Sequence, residues 1–366
     1  MKKVLAAMSG GVDSSVCALL LKNSGYDVIG ATMKLISGEL TAKTETAKIS
    51  EKACCTADDA YDAKSVCFSL GLPHYVFNFA DDFSRDVIDC FCASYIKGET
   101  PNPCIECNRK LKFEKLLRRA RELDCEKIAT GHYAQIEEKD GRFLLRKASD
   151  IKKDQSYVLY TLTREELSCT LFPLGGLTKP EVRALAEANG FVNASKHESQ
   201  DICFVPDGNY SAFIENYTGK TFPPGKFIDT DGRILGEHGG IIRYTVGQRK
   251  GLGIAFGTPK YVKSINIADN TVTLCNIEEL YTKSVYIKNM NIIMPERIGF
   301  KLKAKTRYNQ IEQPCEAILL DDDTVKITFD EPQKAVTPGQ SCVLYDGEYV
   351  VGGGIITNEK EDRSKN

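Results

Sequence analysis

The chain has 366 residues, 42% of them hydrophobic and 27% charged, with a formal net charge of -2. That length implies two or three domains and a substantial core. The near-zero charge excludes binding a polyanion through a global positive field, so a nucleic acid would have to be met by local basic patches. No apolar stretch is long enough to span a bilayer, and the apolar run after Lys2-Lys3 breaks at a glycine pair, unlike a signal peptide. A cytoplasmic protein with no membrane partner is expected. Fourteen cysteines in such a chain indicate reduced thiols, metal ligands or catalytic sulfur, not a disulfide framework.

In chain order, Val4 to Met8 is a short apolar run and Val16 to Leu21 is apolar-periodic. Between them lies Ser9-Gly10-Gly11-Val12-Asp13-Ser14-Ser15. This order reads as strand, glycine turn and helix N-terminus, a ready anion site. The glycines let backbone approach a phosphate, the serines add hydroxyls, and Asp13 could hold Mg2+. No Gly-Lys-Ser/Thr follows, so this is not a Walker A loop. It resembles the Ser-Gly-Gly-x-Asp-Ser loop of the ATP pyrophosphatase (PP-loop) superfamily, whose members split ATP between the alpha and beta phosphates. The first helix should end at Gly25. Val28 to Met33 reads as a strand, Asp58 to Leu70 as a helix, His74 to Phe79 as a strand, and Phe83 to Ile96 as a helix ending at Gly98.

Asn108 to Leu123 reads as a basic helix, carrying Arg109, Lys110, Lys112, Lys115, Arg118, Arg119 and Arg121. Lys127 to Thr130 is a short strand leading to Gly131-His132-Tyr133. Alternating strands and helices predict a doubly wound parallel sheet, with ligands at the C-terminal strand ends. The glycine loop, Met33 and Gly131 would lie on that edge. Thr178-Lys179-Pro180-Glu181 is a capping box. From about 206, turn signals become frequent, as in Pro223-Pro224-Gly225 and Thr230-Asp231-Gly232. They predict a small β-rich central domain over 206–282 and an antiparallel β-barrel over 283–358, after a catalytic domain over 1–205. Period-2 alternation from Phe300 to Tyr308 puts Lys301, Lys303, Lys305 and Arg307 on one face, which suits a polyanion or simply water. The tail 359–366 reads as disordered.

Pro101-Asn102-Pro103-Cys104-Ile105-Glu106-Cys107 precedes the basic helix. Two prolines would fix a loop, and Cys107 at a helix start beside Arg109 and Lys110 would favour thiolate. A C-x-x-C pair suits zinc, iron–sulfur, a redox dithiol or a catalytic thiol, although zinc usually wants a second pair. Cys203, in Ser199-Gln200-Asp201-Ile202-Cys203-Phe204, is a third candidate. Cys17, Cys67, Cys90, Cys92, Cys169, Cys275, Cys315 and Cys342 read as inert packing residues. Cys54-Cys55 has no assigned role.

These stretches, with Lys153-Asp154-Gln155-Ser156-Tyr157, Leu171 to Gly175, Tyr244 to Gly253, Pro338-Gly339-Gln340 and Gly352 to Gly354, resemble the tRNA-specific 2-thiouridylase family over nearly the whole chain. The resemblance implies ATP-dependent sulfuration at C2 of the wobble uridine in tRNAs for Lys, Glu and Gln, through an adenylated intermediate. A cysteine desulfurase or sulfur relay protein would supply the sulfur. It implies ATP and Mg2+ at Ala7, Met8, Ser9, Gly10, Gly11, Val12, Asp13, Ser14, Met33 and Gly131. The target base would meet Asn102, Pro103 and Cys104, and tRNA would touch His132, Lys153, Asp154, Gln155, Arg307, Tyr308 and Gln340. Cys107 would be the nucleophile, Cys203 the persulfide carrier, and Asp13 a catalytic residue. Many members have Asp where this chain has Cys104. Three thiols, Cys104, Cys107 and Cys203, are therefore also expected as ligands of a possible [4Fe–4S] cluster. Rival readings are a PP-loop amidating synthetase acting on a small molecule, a non-enzymatic tRNA or iron–sulfur binding module, and thiolation of a cytidine.

Overall fold

The computed structural model describes residues 2–44, 57–196, 202–254, 257–320 and 324–358. Cys54-Cys55, Ser199 to Asp201, the Asp321 to Asp323 turn and the tail from 359 lie outside them. The chain clusters into two compact units. One comprises Met1–Ile88, Pro103–Asn209 and Glu348–Val350, and the other Asp89–Asn102, Tyr210–Gly347 and Val351–Asn366.

The first unit is built on a parallel sheet of β1 (Lys3–Ala7), β2 (Asp27–Lys34), β3 (His74–Asn78), β4 (Lys127–Ala129) and, after a hairpin of β5 (Gln135–Lys139) and β6 (Arg142–Arg146), β7 (Thr170–Leu171). Its order is β3-β2-β1-β4-β7. The winding reverses between β1 and β4, the point where such sheets hold ligands. The inner strands are apolar because both faces are covered: Val4, Leu5 and Ala6 of β1 are fully buried, and so are the six central residues of β2. Helices Val12–Asn23 and Ala57–Ser69 supply much of that cover through Val16, Leu19, Ala63 and Val66. The first helix stops where Gly25 adopts φ +80°, as expected.

Two helical runs differ from expectation. Ala80 to Ile96 is continuous but carries a π-helical turn at Ser84–Ile88. The basic helix begins at Pro103, not Asn108, and runs to Glu122, with a π-helical stretch over Cys107–Lys115. Pro103 fits a first helical turn because the N–H it lacks would have no partner there. Pro103 therefore starts the helix, while Pro101 lies in the irregular chain before it. Cys90 was expected to be packed, but it is exposed, whereas Cys92, on another side of the helix, is buried.

The second unit contains a four-stranded sheet of β8 (Gly225–Ile228), β9 (Ile234–His238), β10 (Tyr261–Asn266) and β11 (Thr271–Cys275), in the order β10-β11-β8-β9. It also contains a closed six-stranded antiparallel barrel. The strands are β12 (Tyr281–Ile292), β13 (Lys301–Lys305), β14 (Gln313–Leu319), β15 (Val325–Lys334), β16 (Ser341–Asp346) and β17 (Tyr349–Thr357). β17 pairs back on β12 and closes it, so the sheet has no open edge. Leu302, Ala304, Ile327 and Leu344 fill the inside, and Lys301 and Lys303 point outward as the alternation predicts. Helix Asp89–Ile96 packs in this unit, with Phe91 6.5 Å from Phe213 and Tyr95 4.7 Å from Tyr210 between ring centroids. Among the described residues no helix is long and apolar enough to cross a membrane.

Candidate functional site

The glycine loop leaves β1 at Ala7 and enters helix Val12–Asn23 at the switch point. The loop is braced from inside. Ser14 Oγ donates to the Gly11 carbonyl at 2.9 Å and accepts from the Ser9 N–H at 3.2 Å, and Ser15 Oγ donates to the same carbonyl at 3.1 Å. Gly11 is the N-cap residue and no side chain caps this helix. The first N–H groups and the positive end of the dipole are thus left for an anion. Two glycines are required sterically. Gly10 has φ +74°, and a Cβ there would stand 2.3 Å from the Asp59 carbonyl oxygen. A Cβ on Gly131, which follows β4, would lie 2.9 Å from both the Asp13 carbonyl carbon and the Ser14 nitrogen. Met8, Val12 and Met33 are buried, and Ala7 and Ser9 lie nearer the surface.

Asp13 is held by two residues that sequence reasoning missed. Lys179 Nζ donates to Asp13 Oδ1 at 2.7 Å and Oδ2 at 2.8 Å, and the Tyr133 hydroxyl donates to Oδ1 at 2.8 Å. Lys179 is only 6% exposed. It is the first residue of helix Lys179–Ala188, whose capping box forms as expected, with Glu181 accepting from Thr178 N–H and Oγ1 at 2.7 Å each. The capping box marked the helix start but gave no hint of a partner 166 residues away. Asn193 was also missed. Its Nδ2 donates to the Gly10 carbonyl at 2.8 Å and Ser15 Oγ at 2.9 Å, fastening the loop from outside.

The residues expected to touch tRNA in this unit are mostly occupied within it. Asp154 is buried, and its Oδ1 accepts from Ala148 N–H at 3.0 Å while Oδ2 accepts from Ser156 Oγ at 2.7 Å. Gln155 Oε1 accepts from Tyr133 N–H at 2.8 Å, and the Gln155 N–H donates to the Tyr133 carbonyl at 2.8 Å. Gln155 thereby sets the tyrosine that holds Asp13. His132 is buried, with Nδ1 2.7 Å from Thr130 Oγ1 and Nε2 3.4 Å from Lys112 Nζ. The rings of Phe113 and Phe172 enclose it. Burial first, and then the Lys112 ammonium, push its pKa well below the usual histidine value. Lys153 is half-buried.

Cys104 is exposed and lies in the first turn of helix Pro103–Glu106. Cys107 is half-buried and one turn further in. Three residues apart, both thiols lie on neighbouring positions of the helix surface. The cations thought to activate Cys107 are engaged elsewhere: Arg109 pairs with Glu106 at 2.5 Å and Lys110 with Glu114 at 3.0 Å. Lys115 bonds Asp82 and lies 3.1 Å from Asp86, and Arg119 and Arg121 pair with Glu122 and Glu165. The basic helix is therefore largely neutralised by its own neighbours. Cys203 is half-buried, and Phe204 beside it packs edge-on against Phe83 at 5.7 Å. Among the described residues no three His, Cys, Asp or Glu side chains form a group that could hold a metal ion. A [4Fe–4S] cluster would need Cys104, Cys107 and Cys203 converging on one centre.

In the second unit, Arg307 and Tyr308 are exposed, and Asn102 and Gln340 are half-buried. One Arg307 guanidinium nitrogen donates to the Ala335 carbonyl and, at 3.2 Å, to Thr337 Oγ1. Gln340 Nε2 donates to the Thr100 carbonyl at 2.7 Å.

Three family models match in succession: the tRNA methyl transferase HUP domain over residues 2–207, its PRC-barrel domain over 211–276, and the aminomethyltransferase beta-barrel domain over 282–356. The tRNA-specific 2-thiouridylase MnmA of Acetivibrio thermocellus is 50% identical over 97% of this chain and 99% of its own. The protein of that name from Clostridioides difficile is 46% identical over 97% and 98%. A solved 4-thiouridine synthetase in complex with RNA and ATP aligns at a TM-score of 0.37 and 14% identity, over 59% of this chain and 52% of that one, a likeness too loose to carry an argument.

Proposed function

The chain belongs to the tRNA-specific 2-thiouridylase family and is a tRNA-uridine 2-sulfurtransferase; from that premise we propose that it adenylates and then thiolates C2 of the wobble uridine in tRNAs for Lys, Glu and Gln. The observation that carries the first step is the uncapped helix start at the switch point, with Gly131 packed against Asp13 and Ser14. ATP phosphates bind the free N–H groups of that helix. Mg2+ would take an Asp13 carboxylate oxygen in place of the Lys179 ammonium, which is then free to meet a phosphate. The uridine O2 attacks the alpha phosphate and pyrophosphate leaves. Adenylation matters because an amide-like oxygen is a poor leaving group and its adenylate is a good one.

Sulfur follows by persulfide. Cys203 receives a sulfane sulfur from a donor such as a cysteine desulfurase or relay protein. The terminal sulfur attacks C2, and AMP leaves with the oxygen. Cys107 thiolate then attacks the Cys203 sulfur of the adduct. The S–S bond breaks, the thione is released, and a Cys107–Cys203 disulfide remains for an external thiol to reduce. Asn102, Pro103 and Cys104 would meet the base. No step runs through a cluster. We read 1–205 as the catalytic segment, with 206–282 and 283–358 holding the tRNA through groups such as Tyr308 and the exposed lysines of β13. The label methyl transferase on the family models fits this chain poorly, because the groups gathered here are a phosphate loop and thiols.

The test supplies purified protein with ATP, a tRNA transcript and a persulfide donor, without iron, and reads nucleosides by mass spectrometry. Formation of 2-thiouridine at position 34 is expected. Thiolation only after anaerobic reconstitution with iron and sulfide would overturn the persulfide route. Thiolated cytidine would overturn the base assignment, and tRNA-independent pyrophosphate release would favour a small-molecule synthetase.

A further inference from the structure

The turn after helix Lys179–Ala188 has no part in the chemistry above, yet it reaches the centre of the phosphate loop. It is anchored by packing and by its own hydrogen bonds. Phe191 and Ala194 belong to the core that includes Val16 and Leu19, Ala194 N–H donates to the Phe191 carbonyl at 3.1 Å, and Lys196 N–H donates to the Asn193 carbonyl at 3.0 Å. Asn193 is 2% exposed and directs its Nδ2 at the loop twice, to the Gly10 carbonyl at 2.8 Å and to Ser15 Oγ at 2.9 Å. The Ser15 hydroxyl accepts there and so keeps its own proton for the Gly11 carbonyl at 3.1 Å. Asn193 Oδ1, by contrast, is buried and finds no donor among the described residues. An orphaned buried acceptor is costly, so what suits an amide to this position is its nitrogen. Three residues on, Lys196 Nζ lies 2.6 Å from Asp59 Oδ1 and 2.8 Å from Asp62 Oδ2. Asp59 is the residue whose backbone stands against Gly10. The same turn therefore holds Gly10 directly and, through Asp59, the backbone that Gly10 packs against.

We propose that Asn193 aims the anion-binding N–H groups of the phosphate loop, as a positioning residue for the polyphosphate of ATP. The inference rests on the adenylation reading above. A trans peptide sets its C=O and N–H on opposite sides of the chain. With the Gly10 carbonyl drawn to Asn193, the Gly11 N–H is turned the other way. Both residues of that peptide are glycines, so nothing intrinsic to the backbone stops its plane from flipping, and the hold on the carbonyl supplies what the backbone lacks. The next peptide is set through Ser15, with Ser14 Oγ donating to the same Gly11 carbonyl at 2.9 Å, which turns the Val12 N–H likewise. These are the first N–H groups of a helix that no side chain caps. Residue type matters here, because two donors on one nitrogen come from an amide and not from Asp, Ser or Leu. Ser14 still holds the second peptide when Asn193 is changed, so the Gly11 N–H is the group that depends on Asn193 most.

The experiment uses the full chain with Asn193→Asp, which keeps the shape and removes both donors, and with Asn193→Leu, which does so without adding a charge, each with a thermal melt as folding control. The probes are ATP, inorganic pyrophosphate and adenosine, titrated by calorimetry. The dissociation constants of ATP and pyrophosphate should rise about tenfold, the worth of one hydrogen bond to a charged group, with that of adenosine within about twofold of the parent. In 15N-labelled protein the Gly11 amide signal should move on addition of pyrophosphate, and less than about half as far in the variants, while the Val12 signal changes least between parent and variants. Unchanged affinity for ATP and pyrophosphate in a folded variant would overturn the proposal. So would an equal loss of adenosine affinity, which a merely structural role would produce, and so would a parent that binds neither ATP nor pyrophosphate. A parent that binds ATP but forms no 2-thiouridine defeats the functional reading alone, and the affinities still decide the role of Asn193.

Discussion

The phosphate loop is braced by side chains from distant parts of its unit, whereas the candidate cysteines of the same unit lie exposed or half-buried on their own segments. Around the loop every group has its place: Ser14 and Ser15 brace Gly11, Asn193 fastens Gly10, and Lys179 and Tyr133 hold Asp13. Cys104 is exposed, Cys107 and Cys203 are half-buried, and among the described residues no group of three His, Cys, Asp or Glu side chains could hold a metal ion. Electrostatic preorganisation suits a step that handles fixed phosphate charge. A persulfide formed on a cysteine before the tRNA arrives would be open to attack by other thiols and to oxidation. On the thiolation route proposed above, the two regions would serve separate steps, activation at the loop and sulfur transfer at the cysteines.

The sharpest way to break the contrast is Cys107→Ser. Thiouridine should vanish from the product while pyrophosphate release persists; loss of both signals would show that the two regions are not separable. Asp13→Ala should cost adenylation on the order of 100-fold or more with an unchanged circular dichroism spectrum, and Lys179→Met should follow it. A normal pyrophosphate burst in either would remove those residues from the site. Gly131→Ala pushes a methyl group into Asp13 and Ser14; we expect the KM for ATP to rise about tenfold, with the tRNA dissociation constant unmoved.

A fourth prediction concerns pH. The folded pKa of His132 is depressed by burial and Lys112, so below about pH 6.5 the unfolded chain takes a proton that the native one refuses. Stability is therefore complete above that pH and is lost as pH falls. Burial likewise lowers His74 and His238, with Lys64 adding to the effect on His74, so the slope is shared. His132→Gln should reduce the fall in the free energy of urea unfolding between pH 7 and pH 5 by at most about 1.4 kcal/mol per pH unit. An unchanged slope would mean that this histidine does not titrate on unfolding as argued. The smallest effect belongs to the barrel, where Lys303→Ala should lower the salt dependence of tRNA binding by about one unit of slope. An unchanged slope returns that face to plain solvation.

The phosphate loop was legible because its chemistry is local: strand, glycine pair and helix start follow one another within a dozen residues. So was the parallel sheet, from apolar runs separated by helical periods, and the outward lysines of β13, from alternation. What was not legible is long-range pairing. Nothing local in Thr178-Lys179-Pro180-Glu181 says that the lysine reaches Asp13, and nothing near Asn193 points to Gly10. Asp154 and Gln155 were expected to touch tRNA, and they also satisfy backbone N–H groups of Ala148 and Tyr133. The basic helix misled for the same reason. Its charge count ignored Asp82, Asp86 and Glu165, which come from elsewhere in the chain. The start of that helix was misplaced because two prolines look like a loop, although one of them suits a first helical turn.

The π-helical stretch Cys107–Lys115 has a geometric consequence. Each of its hydrogen-bonded rings contains one residue more than an α-helical ring. Deleting a single residue there would let the run relax to α geometry and turn everything before it by about 100° around the axis. Lys115 is moored to Asp82 and Asp86, so it is the N-terminal end that would swing. The widened stretch therefore acts as a phase setting that chooses the compass bearing of Cys104 and Cys107. A one-residue deletion would keep the helix content and redirect both sulfurs, and alkylation rates of the two cysteines would register what circular dichroism could not.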